Sequence, residues 1–90
     1  MDGLTLDRQS YVAAYKGNST RLGLKQLLIL KALNDGDCTT DELKDAGWPH
    51  RDEGPAPNTF HVTMHFLRNR LEPIGLTVVT VRRKKRIIEA

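Results

Sequence analysis

Ninety residues and 10.2 kDa leave room for one hydrophobic core, so a single domain over residues 1–90 is expected. At 39% apolar and 28% charged, with apolar runs such as Leu27 to Leu30, the sequence holds nothing near the roughly 20 residues that cross a bilayer, and Met1-Asp2-Gly3 lacks the basic start of a secretory signal. Cys38 is the sole cysteine, which excludes an intramolecular disulfide and a multi-thiolate metal site and points to a reducing, cytoplasmic setting, where the sequon Asn18-Ser19-Thr20 is a chance match.

The net charge of +3 is unevenly spread: residues 1–33 carry +3, residues 34–57 carry −5 and residues 58–90 carry +5. A basic final third beside an acidic middle suggests a face for a polyanion, with solubilising surface charge as the plain alternative.

In chain order, residues 1–22 alternate and place β-favouring types in Leu4-Thr5-Leu6, Tyr11-Val12 and Ser19 to Leu22, with turn formers at Asp7 to Ser10 and Gly17-Asn18. They predict two or three short antiparallel strands. Residues 23–36 are rich in helix formers, with Gly23 as N-cap and Gly36 as the stop, and their leucines point in several directions, so this helix should be the most enclosed. Thr39-Thr40-Asp41-Glu42 reads as a capping box opening a second helix to about Ala46. Residues 47–57 hold three prolines and two glycines and predict a loop.

A third helix is expected from Asn58 to Glu72, with Asn58 as N-cap and Pro73 and Gly75 closing it. At about 100° per residue, Phe60, Met64, Leu67 and Leu71 form one buried stripe. The β-branched run Leu76 to Arg82, a turn at Arg83-Lys84-Lys85 and a return strand from Arg86 to Glu89 then form a hairpin over residues 76–89. The fold class is α+β: N-terminal strands (1–22), a three-helix core (23–72) and a basic hairpin, which is the winged helix-turn-helix order.

Leu4 to Asp7, Arg21 to Leu30, Thr39 to Leu43, Trp48, Val62 to Leu71 and Val79 to Arg82 follow one another with a spacing that resembles the C-terminal DNA-binding domain of OmpR/PhoB-type response regulators over nearly the whole chain. The resemblance implies a DNA-binding transcriptional regulator of bacterial or phage type. In that family the third helix reads the major groove, the wing reaches a minor groove, and the loop between helices two and three contacts RNA polymerase or a neighbouring protomer. Carried onto this chain, it implies groove-facing roles for Thr59, Val62, Thr63 and Phe66, phosphate contacts by Arg68, Thr80 and Arg82, and a wing tip of Arg83, Lys84, Lys85 and Arg86. Family members commonly occupy repeated half-sites as dimers, so a homodimer on double-stranded DNA is implied, although no residue pattern here marks its interface. The family's groove-facing residue at the place of Phe66 is often basic, and the wing commonly ends in a Gly-x-Gly-Tyr-type sequence that is absent here. The length leaves no space for a receiver domain, so control by aspartyl phosphorylation within the chain is not expected.

Val62 and Phe66 project about 200° and 240° around the helix from Phe60, nearly opposite the buried stripe. Three readings fit two apolar side chains there: contact with thymine methyl groups, a protein partner such as RNA polymerase or another regulator, or burial under the hairpin or loop. Five successive cations, Arg82 to Arg86, repel one another unless phosphates or counterions screen them, which favours a polyphosphate backbone over a merely solvated tail. His65 lies on the flank of the helix, within reach of a phosphate or base edge. With His61 it forms an i, i+4 pair, but Val62 stands where a hydrolytic zinc helix needs glutamate and no third ligand can be named, so neither metal nor other cofactor is expected. Trp48 is read as a lid over the core in preference to a partner anchor. Asp52 and Glu53 have no base or phosphate cradle to work with, so no catalysis is expected.

Overall fold

The computed structural model describes residues 1–49 and 55–90. Three short strands open the chain: β1 (Thr5–Asp7), β2 (Val12–Tyr15) and β3 (Asn18–Arg21), an antiparallel sheet in the order β1-β2-β3. The Asp7 carboxylate accepts from the amides of Gln9 and Ser10, which organises the first turn, and the β2–β3 hairpin closes over Lys16 and Gly17 with φ of 49° and 83°. Two positive φ values in a two-residue loop are the type I′ pattern, and glycine at the second position adopts it without strain.

Helix α1 (Leu24–Asp35) follows, then a two-residue strand β4 (Cys38–Thr39), helix α2 (Thr40–Gly47) and helix α3 (Pro57–Leu71). The Thr39 hydroxyl accepts from the Glu42 amide at 3.2 Å while the Glu42 carboxylate accepts from the Thr39 amide at 2.9 Å, the expected capping box. Gly47 lies so close to α1 that a Cβ there would stand 3.3 Å from the Ile29 side chain.

α3 begins at Pro57 with Ala56 as N-cap, two residues before the expected cap Asn58, which lies inside the first turn. Proline suits that first turn because its fixed φ is helical and its missing N–H would have had no partner. At the other end the helix tightens into a 3₁₀ turn (Glu72–Ile74) at Pro73, and Gly75 at φ 82° redirects the chain into β5.

β5 (Leu76–Val81) and β6 (Lys84–Glu89) form the C-terminal hairpin, and β4 adds to its free edge to give the order β4-β6-β5. Val81 pairs with Lys84, so the turn consists of Arg82 and Arg83 and not of Arg83-Lys84-Lys85. The register explains the difference. It sets Val78 opposite Ile87, both buried, whereas the expected three-residue turn would have carried Ile87 to the outward face.

The core gathers Leu27, Ile29, Leu30 and Leu33 of α1, Leu43 of α2, the expected stripe Phe60, Met64, Leu67 and Leu71 of α3, and Leu76, Val78 and Ile87 of the hairpin. Trp48 is buried with its ring 6.4 Å from that of Phe60 and the Lys25 ammonium 4.7 Å from its centre, so it acts as a lid on this core. The N-terminal sheet is tied to β6 by Glu89, which accepts from the Tyr15 hydroxyl and pairs with Lys16 at 2.6 Å. No helix among the described residues is long and apolar enough to cross a membrane.

Candidate nucleic-acid interface

Because the stripe from Phe60 to Leu71 fixes how α3 sits, its opposite face is free. Val62 and Phe66 are 45% and 52% exposed, which removes the reading that they are enclosed by hairpin or loop. Thr59, His65, Asn69 and Arg70 share the exposed arc, and Thr63 is half-buried at its margin. Two polar pairs are already formed there: the Thr63 hydroxyl donates to the Thr59 carbonyl at 2.9 Å, and His65 Nε2 lies 3.3 Å from the Asn69 amide nitrogen. On one side Thr63 and Phe66 border a shallow trough whose far wall is the N-terminus of α1, Gly23 to Gln26, with Leu24 46% exposed.

On the other side lies the hairpin. Arg68 Nε donates to the Val78 carbonyl at 3.3 Å, which binds α3 to β5 directly. Lys85 lies on the strand face that also carries Ile87, and its ammonium donates to the Thr80 hydroxyl at 3.1 Å. Partial burial, with the Arg68 charge adding to it, pulls the Lys85 pKa below the usual lysine range. Arg68 and Lys85 are therefore two cations held close together at the junction of helix and hairpin.

The remaining wing cations divide. Arg82 and Arg83 occupy the tip with φ of 52° and 69°, a conformation normally given to Asn-Gly and strained for two arginines. On the outward face of β6, Arg86 makes a two-pronged ion pair with Asp37, Nη2 to Oδ2 at 2.7 Å and Nε to the same oxygen at 3.0 Å. That pair holds the Asp37 carboxyl below its usual range, and Lys84 adds a weaker effect in the same direction on Asp37 and Glu42. The expectation of a tip built from Arg83, Lys84, Lys85 and Arg86 is thus corrected: two cations form the tip, Lys85 turns toward α3, and Lys84 and Arg86 turn toward the acids beside β4.

The solved structures supply the comparison. The C-terminal domain of the nisin resistance regulator NsrR, a lantibiotic response regulator, superposes with a TM-score of 0.75 at 25% identity, covering 96% of this chain and 92% of that one. The DNA-binding domain of the response regulator AdeR, solved in complex with an intercistronic region, gives 0.74 at 19% identity, covering 100% and 98%. The chain has the OmpR/PhoB-type winged-helix fold. No family model matches the sequence, and none of the curated proteins does.

Within this winged helix, Thr59, Val62, Thr63, His65 and Phe66 lie on or beside the free face of α3, while Arg68, Thr80 and Lys85 meet where helix and wing join. Sequence reasoning missed Asn69, although the periodicity that exposed Val62 sets Asn69 opposite Phe60 as well. It also missed Asp37, whose pairing with Arg86 spans 49 residues and leaves no local signal. Asp52 and Glu53, read in the loop between the second and third helices, lie outside the described residues. Among the described residues no three His, Cys, Asp or Glu side chains are grouped to hold a metal ion.

Proposed function

We propose that residues 1–90 act as one DNA-binding domain of a transcriptional regulator, with the free face of α3 in the major groove of double-stranded DNA and the wing tip on phosphates or in the adjacent minor groove. The observation that carries this reading is that the apolar face of α3 is bordered by Arg68 and Lys85 on the side of a wing whose tip is Arg82 and Arg83. Phosphate contacts position such a domain, and contacts to base edges give it sequence preference. AdeR's complex with an intercistronic region supports the assignment by likeness of fold.

The alternative, an adaptor that binds RNA polymerase or another regulator through Val62 and Phe66, is less well supported. A stable protein interface takes about 800 Å² from each partner, and the exposed apolar side chains here amount to Val62, Phe66 and the neighbouring Leu24.

Titration of a random-sequence duplex with the wild type and with the double variant Arg82→Ala/Arg83→Ala tests the proposal. It expects weaker binding by the variant to every sequence, with the slope of log affinity against log salt shallower by about 1.8, from roughly 0.9 per phosphate contact. Equal binding by both proteins at all salt concentrations contradicts it.

A further inference from the structure

We infer that the free face of α3 reads the C5-methyl group of pyrimidines in the major groove and does not distinguish thymine from 5-methylcytosine. The inference rests on the DNA-binding reading above and specifies what that face recognises. Val62 and Phe66 are exposed one turn apart on one helix face, about 6 Å along the axis at roughly 1.5 Å per residue. That separation falls within about two base-pair steps at roughly 3.4 Å each, so two methyl groups on nearby base pairs are within their combined reach.

Some of the polar capacity beside them is already engaged, while the Thr59 hydroxyl, the Asn69 carbonyl oxygen and Arg70 are left to meet phosphates or other base edges. The Thr63 hydroxyl hydrogen is given to the Thr59 carbonyl, and His65 and Asn69 engage each other. An isopropyl group and a phenyl ring have no donor or acceptor, so they cannot sense whether position 4 of a pyrimidine bears the thymine oxygen or the cytosine amine. What they can sense is the methyl group, which thymine and 5-methylcytosine share and cytosine lacks. The cations on the flank and wing make this an apolar patch in a polyanion-binding surround, which favours a duplex over an apolar protein groove as its occupant.

The test starts from a preferred duplex selected from a random pool and measures affinity by fluorescence anisotropy at fixed salt. Each thymine is replaced in turn by deoxyuridine, which removes only the methyl group, and in a second series by cytosine or 5-methylcytosine. Deoxyuridine should weaken binding about fourfold at one or two positions, the fold-change that corresponds to about 0.8 kcal/mol for one buried carbon group. At those positions 5-methylcytosine should bind about fourfold better than cytosine. In Phe66→Ala both differences should shrink at the position that this ring covers, which separates direct contact from a change in duplex shape. Tight, salt-sensitive binding that ignores every deoxyuridine replacement overturns this inference and leaves the DNA-binding reading standing. Absence of any salt-sensitive complex overturns both.

Discussion

Arg86 on β6 and Asp37 just before β4 face each other through a two-pronged ion pair at 2.7 and 3.0 Å, on the side of the wing turned away from α3. An arginine counted among the polyanion-binding cations is thereby occupied within the fold. Replacing Arg86 by Ala should leave the salt slope of duplex binding nearly unchanged, whereas Arg82→Ala or Arg83→Ala should each flatten it by about 0.9. The converse variant, Asp37→Asn, releases Arg86 and should tighten binding to all duplexes and steepen the slope. Salt titrations of the four variants check this, and an Arg86→Ala slope change equal to that of the tip arginines would contradict it.

The wing tip links stability to binding in opposite senses. Arg82 and Arg83 both hold positive φ, where non-glycine side chains cost roughly 1–3 kcal/mol each, and they place two like charges side by side. Arg82→Asn/Arg83→Gly supplies the preferred type I′ pair and should raise stability by about 1–2 kcal/mol, about 4–8 °C in Tm for each kcal/mol in a domain of this size, while weakening duplex affinity. Thermal melts and anisotropy on the same variant measure both effects, and a lower Tm would show that the turn is not strained.

How far the sequence revealed this arrangement differs from element to element. The stripe of α3, the capping box at Thr39 and the exposure of Val62 and Phe66 followed from periodicity and local spacing, because each depends on residues within a few positions of one another. The wing turn did not. Arg-Arg carries no turn signal, and its position is set by Val78 meeting Ile87 across the core-facing side of the hairpin. β4 is two residues long, too short for any alternation to register, and Asp37 is matched to Arg86 only once β4 pairs with β6.

Acid should destabilise the fold through specific carboxylates. The hydrogen-bonded Arg86 guanidinium lowers Asp37 from its usual 3.8, while Lys16 first and then Tyr15 lower Glu89, and the Thr39 amide lowers Glu42, both from 4.5. Each lowered group binds its proton more readily in the unfolded chain, so its stabilisation is complete above its usual value and is lost as the pH falls through the lowered one. Tm should be level above about pH 5 and fall below pH 4, with Glu89→Gln less stable at neutral pH and less sensitive to acid. Thermal melts from pH 3 to 7 check the profile, and a Tm unchanged down to pH 3 would contradict it.

Trp48 closes the core between α1 and α3 and should report on folding more than on DNA. Trp48→Ala removes a buried ring that packs on Phe60 and should cost about 3–5 kcal/mol, read by chemical denaturation. In the wild type, tryptophan emission should be that of a buried ring and should change little on adding duplex, because the free face of α3 lies on the opposite side of that helix from Phe60. A large shift on binding would place the duplex at the Trp48 side.

If α3 and the wing engage one duplex together, amide chemical shifts of the labelled protein during titration with a short duplex at low salt will register both surfaces at once. Val62, Phe66 and Asn69 should shift in step with Arg82, Arg83 and Lys85 over the same range of duplex concentration, while β1 and β2 stay still. Shifts confined to the N-terminal strands, or α3 and wing responses that saturate at different duplex concentrations, would contradict it.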